Sequence, residues 1–177
     1  MKKKFTLVIL VVMVSLCLVS TVALAGSSHT INMTIPLRAG WNLVSVPLVL
    51  NDSSVNFVFP GTEVVYTWDA TSKAYIVPSI IEPNKGYWVA ILQDADIILT
   101  GIPVTRWTAN LKAGSNMIGS VSSVADFSRP NDKPNWSIEP YAYLWDTSSQ
   151  SYITVTTIEP GKGYWVKATQ DCKLTIP

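Results

Sequence analysis

From Ile31 onward, apolar and polar residues alternate in short runs with a period of two, and helical periodicity is almost absent. Ile31, Met33, Ile35 and Leu37 alternate with polar neighbours and predict a first strand. Ala39-Gly40 turns the chain into a second, from Trp41 to Pro47. Asn51 to Phe57 places cap residues before apolar ones and predicts a single helical turn. Val64 to Trp68 predicts a third strand, Asp69 to Lys73 a turn, and Ala74 to Val77 the hairpin partner. Gly86 to Leu92 and Ile97 to Leu99 then close the unit at Gly101. About six short strands with turns every 8–12 residues or so predict an all-β sandwich or barrel.

The same pattern then returns. Ile81-Glu82-Pro83-Asn84-Lys85-Gly86-Tyr87-Trp88-Val89 recurs as Ile158-Glu159-Pro160-Gly161-Lys162-Gly163-Tyr164-Trp165-Val166. Tyr66-Thr67-Trp68-Asp69 recurs as Tyr143-Leu144-Trp145-Asp146, Tyr75 as Tyr152 and Asp94 as Asp171. Met33 to Val44 aligns with Trp107 to Ile118. The spacing between copies widens by three residues in the middle, near Arg129 to Asn135, where added loop length costs little entropy. The chain therefore divides into a β repeat at 31–102 and another at 103–177, preceded by a polar leader at 26–30. The junction from Gly101 to Val104 is too short for a flexible linker, so the repeats are expected to pack together, with a pseudo-two-fold possible. Two small barrels and one shared sandwich both fit this pattern.

The recurring stretch is structural in character. Pro followed by Asn84 or Gly161 predicts a type II turn in each copy. Gly86 and Gly163 admit the chain to a strand without a Cβ clash. Tyr87, Trp88, Tyr164 and Trp165 then suit a pleated, half-buried surface. The Lys-Gly pair lacks the spacing, hydroxyl residue and helix of a phosphate loop. Asn42 and Asn116 lie at equivalent places among apolar residues and are expected to bond the backbone of a neighbouring strand.

The first residues belong to another class. Lys2-Lys3-Lys4, an apolar run to Leu24 and Ala23-Leu24-Ala25 predict a signal peptide over 1–25, and hence a secreted, periplasmic or cell-surface protein. If the segment is retained, its length also suits a membrane anchor, the one membrane contact expected. Its loss removes three lysines, and a formal net charge of +1 becomes a slight acidic excess. No basic patch remains, so nucleic acid is not an expected partner. Cys17 leaves with the signal, and Cys172 alone forms no disulfide framework. Its counterpart is Ala95, which predicts a buried apolar role. Asn32, Asn51 and Asn135 open glycosylation sequons.

Catalytic and metal chemistry find little support. His29 is the only histidine and lies in the leader, which argues against a serine triad. No His or Cys cluster points to a metal, and Asp94 with Asp96 is an ordinary acidic turn, so neither metal nor cofactor is expected. Glu82, Glu159, Asp69 and Asp146 recur in both copies, as turn residues do and as one asymmetric hydrolytic site need not. Seven Trp and seven Tyr remain. The recurring aromatics predict a core cluster with Tyr hydroxyls at its rim. Trp41, Trp107 and Trp136 have no Trp in the other copy and are the candidate ligand-facing residues.

Leu37-x-Ala39-Gly40-Trp41-Asn42-Leu43-Val44-Ser45-x-Pro47, followed by Gly-Tyr-Trp-Val, resembles a repeat of secreted and surface-layer-associated proteins of bacteria and archaea. The second copy departs from it at Ser115 and at Ile118-Gly119-Ser120. The resemblance implies an accessory module without catalytic residues. The expectation is a non-catalytic exported tandem β-repeat protein with a surface-structural or interaction role, its partner an unknown protein or a cell-surface polysaccharide. A carbohydrate-binding module is the alternative, and a secreted hydrolase the third reading.

Overall fold

The computed structural model describes residues 29–177, so the 1–25 signal segment and residues 26–28 of the leader lie outside the described residues. The first half contains β1 (Ile31–Leu37), β2 (Gly40–Val44), β3 (Leu48–Val49), α1 (Val55–Val58), β4 (Val64–Asp69), β5 (Ala74–Ile76), β6 (Tyr87–Ile91) and β7 (Ala95–Pro103). The second contains β8 (Trp107–Leu111), β9 (Gly114–Ile118), β10 (Ala125–Asp126), β11 (Asn131–Lys133), β12 (Ala142–Asp146), β13 (Ser151–Val155), β14 (Thr157–Ile158), β15 (Tyr164–Ala168) and β16 (Cys172–Ile176). The all-β class is as expected, but each half has more than six strands. The additional ones, β3, β10, β11 and β14, have two or three residues each. Runs that short leave no legible alternation.

No barrel closes. In the first half the sheet β1-β7-β3 lies against the sheet β2-β6-β4-β5. In the second, β11-β16-β8 lies against β13-β12-β15-β9, with β10 and β14 forming a separate pair. Each sheet draws its strands from one half only. Alternation sorts the side chains: Tyr87, Val89 and Ile91 of β6 join Ile35, Leu37 and Leu99 in one core. Tyr164 and Val166 of β15 join Leu111, Leu174 and Ile176 in the other.

The outward faces of the two four-stranded sheets meet. Leu43, Trp88 and Met117 form a third buried cluster, flanked by Tyr66, Trp68, Trp145 and Trp165 from both halves. The molecule is thus two small sandwiches joined through an aromatic layer, which excludes both the barrel pair and the single shared sandwich. Burial of each large side chain here contributes roughly 1.5–3 kcal/mol.

The recurring turns complete the junction by exchange. Ser45 N–H donates to Gly161 O at 2.9 Å, and Gly119 N–H donates to Asn84 O at 2.9 Å. Each half therefore inserts its Pro-x-Lys-Gly turn beside the equivalent strand end of the other. Residue i meets j and j meets i, the signature of a two-fold, isologous interface. A Cβ on Gly163 would lie 2.7 Å from Val44 O, and one on Gly86 2.8 Å from Ile118 O. These glycines serve close approach between halves, beyond strand entry. Gly161 has φ +82°, as a type II turn requires, whereas Asn84 keeps a negative φ, so the expected type II turn is absent from the first copy.

Two further devices recur. Asn42 Oδ1 accepts Arg38 N–H at 2.9 Å, and its amide donates to Arg38 O and Gly40 O. Asn116 does the same with Lys112 and Gly114. Their principal work is to lock the tight β1–β2 and β8–β9 turns that carry the chain from one sheet to the other; the bond to a neighbouring strand, Asn42 to Val89 O at 3.5 Å, is the weakest. Tyr87 and Tyr164 are fully buried, and their hydroxyls accept Glu82 N–H and Glu159 N–H at 2.7 Å. Burial pushes both phenols well above their ordinary pKa. Cys172 is a buried core residue, as its sequence position implies.

Candidate functional site

The aromatic layer is open at its side. There Trp41 of β2, Tyr66 of β4, Tyr75 of β5 and Trp88 of β6 converge with Trp145 of β12 around a cleft of about 520 Å³. Trp88 is buried beneath it, and Trp41, 45% exposed, stands at its edge. The Trp41 and Tyr66 rings lie 6.2 Å apart and within 24° of parallel. They are brought together by register. Trp41 pairs with Ala90 and Tyr66 with Trp88, so small Ala90 leaves room between two aromatic walls. Among the described residues no charged side chain lines this cleft.

A second cleft of about 520 Å³ follows the same plan in the other half, with Ser115, Tyr143, Tyr152 and Trp165 joined by Trp68. Each residue is the sequence counterpart of one lining the first. The difference lies at one corner. Trp41 over Ala90 in the first becomes Ser115 beside Lys167 in the second, and Lys167 lines the cleft. The aromatic contacts across the halves are reciprocal. Trp88 meets Trp145 edge-on at 5.3 Å, and Trp165 meets Trp68 at 5.4 Å. Trp145 Nε1–H donates to Trp41 O at 3.1 Å, and Trp68 Nε1–H to Ser115 O at 3.0 Å. Trp165 Nε1–H donates to the Tyr152 hydroxyl, whose pKa partial burial raises.

The three Trp candidates separate. Trp41 lines the first cleft. Trp136 is 88% exposed, with φ +68°, beside the inserted loop, where it borders a smaller cleft of about 300 Å³ with Arg129 and Pro140. Trp107, expected to face a ligand, is instead a core residue, 8% exposed, with Nε1–H donating to Ser120 O at 3.1 Å. The signal was present in β8: Trp107 shares its parity with Leu111, which must point inward. It fills the place of Met33, so a lone Trp here reflects core volume. The residues that reasoning missed are Tyr66, Tyr75, Tyr143 and Tyr152, assigned to the core and its rim but found lining the clefts.

The carboxylates are engaged elsewhere. Asp69 accepts the Ser72 hydroxyl and Thr71 N–H, and Asp146 the Ser149 hydroxyl and Ser148 N–H, which lower both carboxyls from their ordinary pKa. Glu82 pairs with Lys85 and Glu159 with Lys162, each at 2.7 Å. Asp94 accepts Ala39 N–H and pairs with Arg38; Asp171 repeats this with Ala113 and Lys112. Among the described residues no three His, Cys, Asp or Glu side chains converge as a metal site would need, and no helix is long and apolar enough to cross a membrane. Comparison with known proteins returned no matching family model, no similar curated protein and no similar solved structure.

Proposed function

We propose that this is an exported, non-catalytic binding module and that its first aromatic cleft stacks on a sugar ring. The near-parallel pair of Trp41 and Tyr66 in an open cleft carries this reading. A pyranose offers an apolar C–H face to such rings and hydroxyls around its edge, which the Tyr66 and Tyr75 hydroxyls can meet. The absence of charge from the lining favours a neutral sugar. Export rests on the 1–25 segment, and the resemblance to repeats of surface-associated proteins agrees with it. The second reading is a surface-structural or protein-interaction role, favoured by Trp136, a large exposed ring remote from the two clefts' linings.

The test is retention of the protein from Gly26 onward on insoluble cellulose, chitin and cell-wall material, with tryptophan emission read before and after. The expected result is retention with a shifted emission, lost in Trp41→Ala and kept in Trp136→Ala. Retention indifferent to Trp41 but lost with Trp136 favours the second reading, and no retention overturns the sugar reading.

A further inference from the structure

The two clefts share a wall. Tyr75 lines both. Tyr75 is 49% and Tyr152 46% exposed, on the edge strands β5 and β13 where the halves come together. Ring centres run from Trp41 to Tyr66 at 6.2 Å, from Tyr66 to Tyr75 at 6.2 Å, and from Tyr75 to Trp165 at 6.4 Å. The ring planes turn along the way, by 24°, 56° and 83°, so the path from the first cleft into the second presents faces and edges in turn.

Resting on the sugar-binding reading, we infer that the two clefts form one groove and that its ligand is a polysaccharide chain laid across Tyr75 rather than a single sugar. Evenly spaced rings give a chain of sugar units successive places to rest, and linked sites gain affinity because later contacts become intramolecular. The groove is also directional. Its Trp41 end has only aromatic lining, whereas its far end adds Ser115 and Lys167, which can donate to ring hydroxyls. The chain meets only tyrosine hydroxyls and ring faces along the first cleft and finds the added serine and lysine donors at the second. Only a ligand with several units reaches both ends.

The experiment compares disaccharide and hexasaccharide fragments of chitin and of cellulose by titration calorimetry against the protein from Gly26 onward, at low and high salt. The hexasaccharide is expected to bind at least about tenfold more tightly, with little dependence on salt. Tyr75→Ala, on an exposed edge strand, should weaken the hexasaccharide more than the disaccharide and so bring the two affinities together. Trp41→Ala should weaken both, and a thermal melt of each variant checks that it is folded. Equal affinity for both lengths in the parent protein overturns the shared groove and leaves the single-cleft reading standing. A length preference that survives Tyr75→Ala also overturns it. Failure of every fragment, together with failure on the insoluble polymers, overturns both readings.

Discussion

At one docking, Gly161 and Lys162 lie against Val44 and Ser45, and two buried hydroxyls fill the gap. Ser45 Oγ–H donates to Lys162 O at 2.8 Å, so Ser120 Oγ–H must be the donor in the 2.8 Å contact between the two serines. Ser120 N–H also donates to Ser45 Oγ, and Gly161 N–H to Ser120 Oγ. At the other docking, Pro83 to Lys85 lie against Ile118 and Gly119 with no side chain between. A Cβ on Gly119 would stand 2.6 Å from Pro83 O. Ser45 and Gly119 are sequence counterparts, as are Gly161 and Asn84. The same backbone exchange is therefore held by a polar plug on one side and by bare contact on the other. What the fold needs is the exchange; the side chains that accompany it are free to differ.

Both dockings should be brittle where backbones touch, the bare one at Gly119 and the plugged one at Gly163. Gly119→Ala and Gly163→Ala each force backbone apart and are expected to cost about 1–3 kcal/mol, a drop of roughly 2–4 °C in melting temperature per kcal/mol. Gly161→Ala, whose Cβ would find Ile35 Cγ1 at 3.6 Å, meets only the strain of its positive φ and should cost about 1–2 kcal/mol. If Gly119→Ala melts with the parent, the bare docking is looser than described.

On the plugged side, Ser45→Ala strands Ser120 N–H and should cost about 1–3 kcal/mol by denaturant titration. A neutral result would mean that the plug fills space without stabilising. Between these asymmetric dockings lies a symmetric control. Trp68→Phe and Trp145→Phe each lose one indole bond across the halves and should cost about 1 kcal/mol alike. Unequal losses would show that the asymmetry reaches into the aromatic layer.

The smallest effect is at acid pH. Hydrogen bonds from Ala39 N–H and Arg38 depress Asp94, and those from Lys112 and Ala113 N–H depress Asp171. Lowered folded-state values mean a contribution fully present above the ordinary value of 3.8 and lost as pH falls below it. Asp94→Asn and Asp171→Asn should each flatten the stability curve only in that acid range, and by similar amounts, since both ion pairs are exposed. A stability loss that persists undiminished below that range, or an acid slope equal to the parent's, would contradict this.

The long strands, the helical turn, the recurring Tyr-Trp stretch and the apolar Cys172 were legible because each is a local pattern. The short strands were not, because two residues carry no period. The expected type II turn failed at Asn84 because Asn tolerates a positive φ without requiring one. Trp107 is legible from its parity with Leu111 along β8, a stronger constraint than its uniqueness between copies. The clefts were beyond local reading, since Trp145 and Trp68 reach them from the opposite half. The recurrence of Tyr66 and Tyr75 announces a constraint, but core and rim impose the same one.

The exchange of turns has a consequence in time. Ser45 waits for Lys162, a partner 117 residues further along the chain, and Trp41 O waits 104 residues for Trp145. As the chain emerges from its N-terminus, the outward face bearing Leu43 and Trp88 stays uncovered until the last turns have been made. Such distant pairings are slow to form, and an apolar sheet face left waiting invites association with other chains. The Pro160-Gly161-Lys162 turn is thus a completion signal: until it arrives, the first half is a surface in need of a guardian.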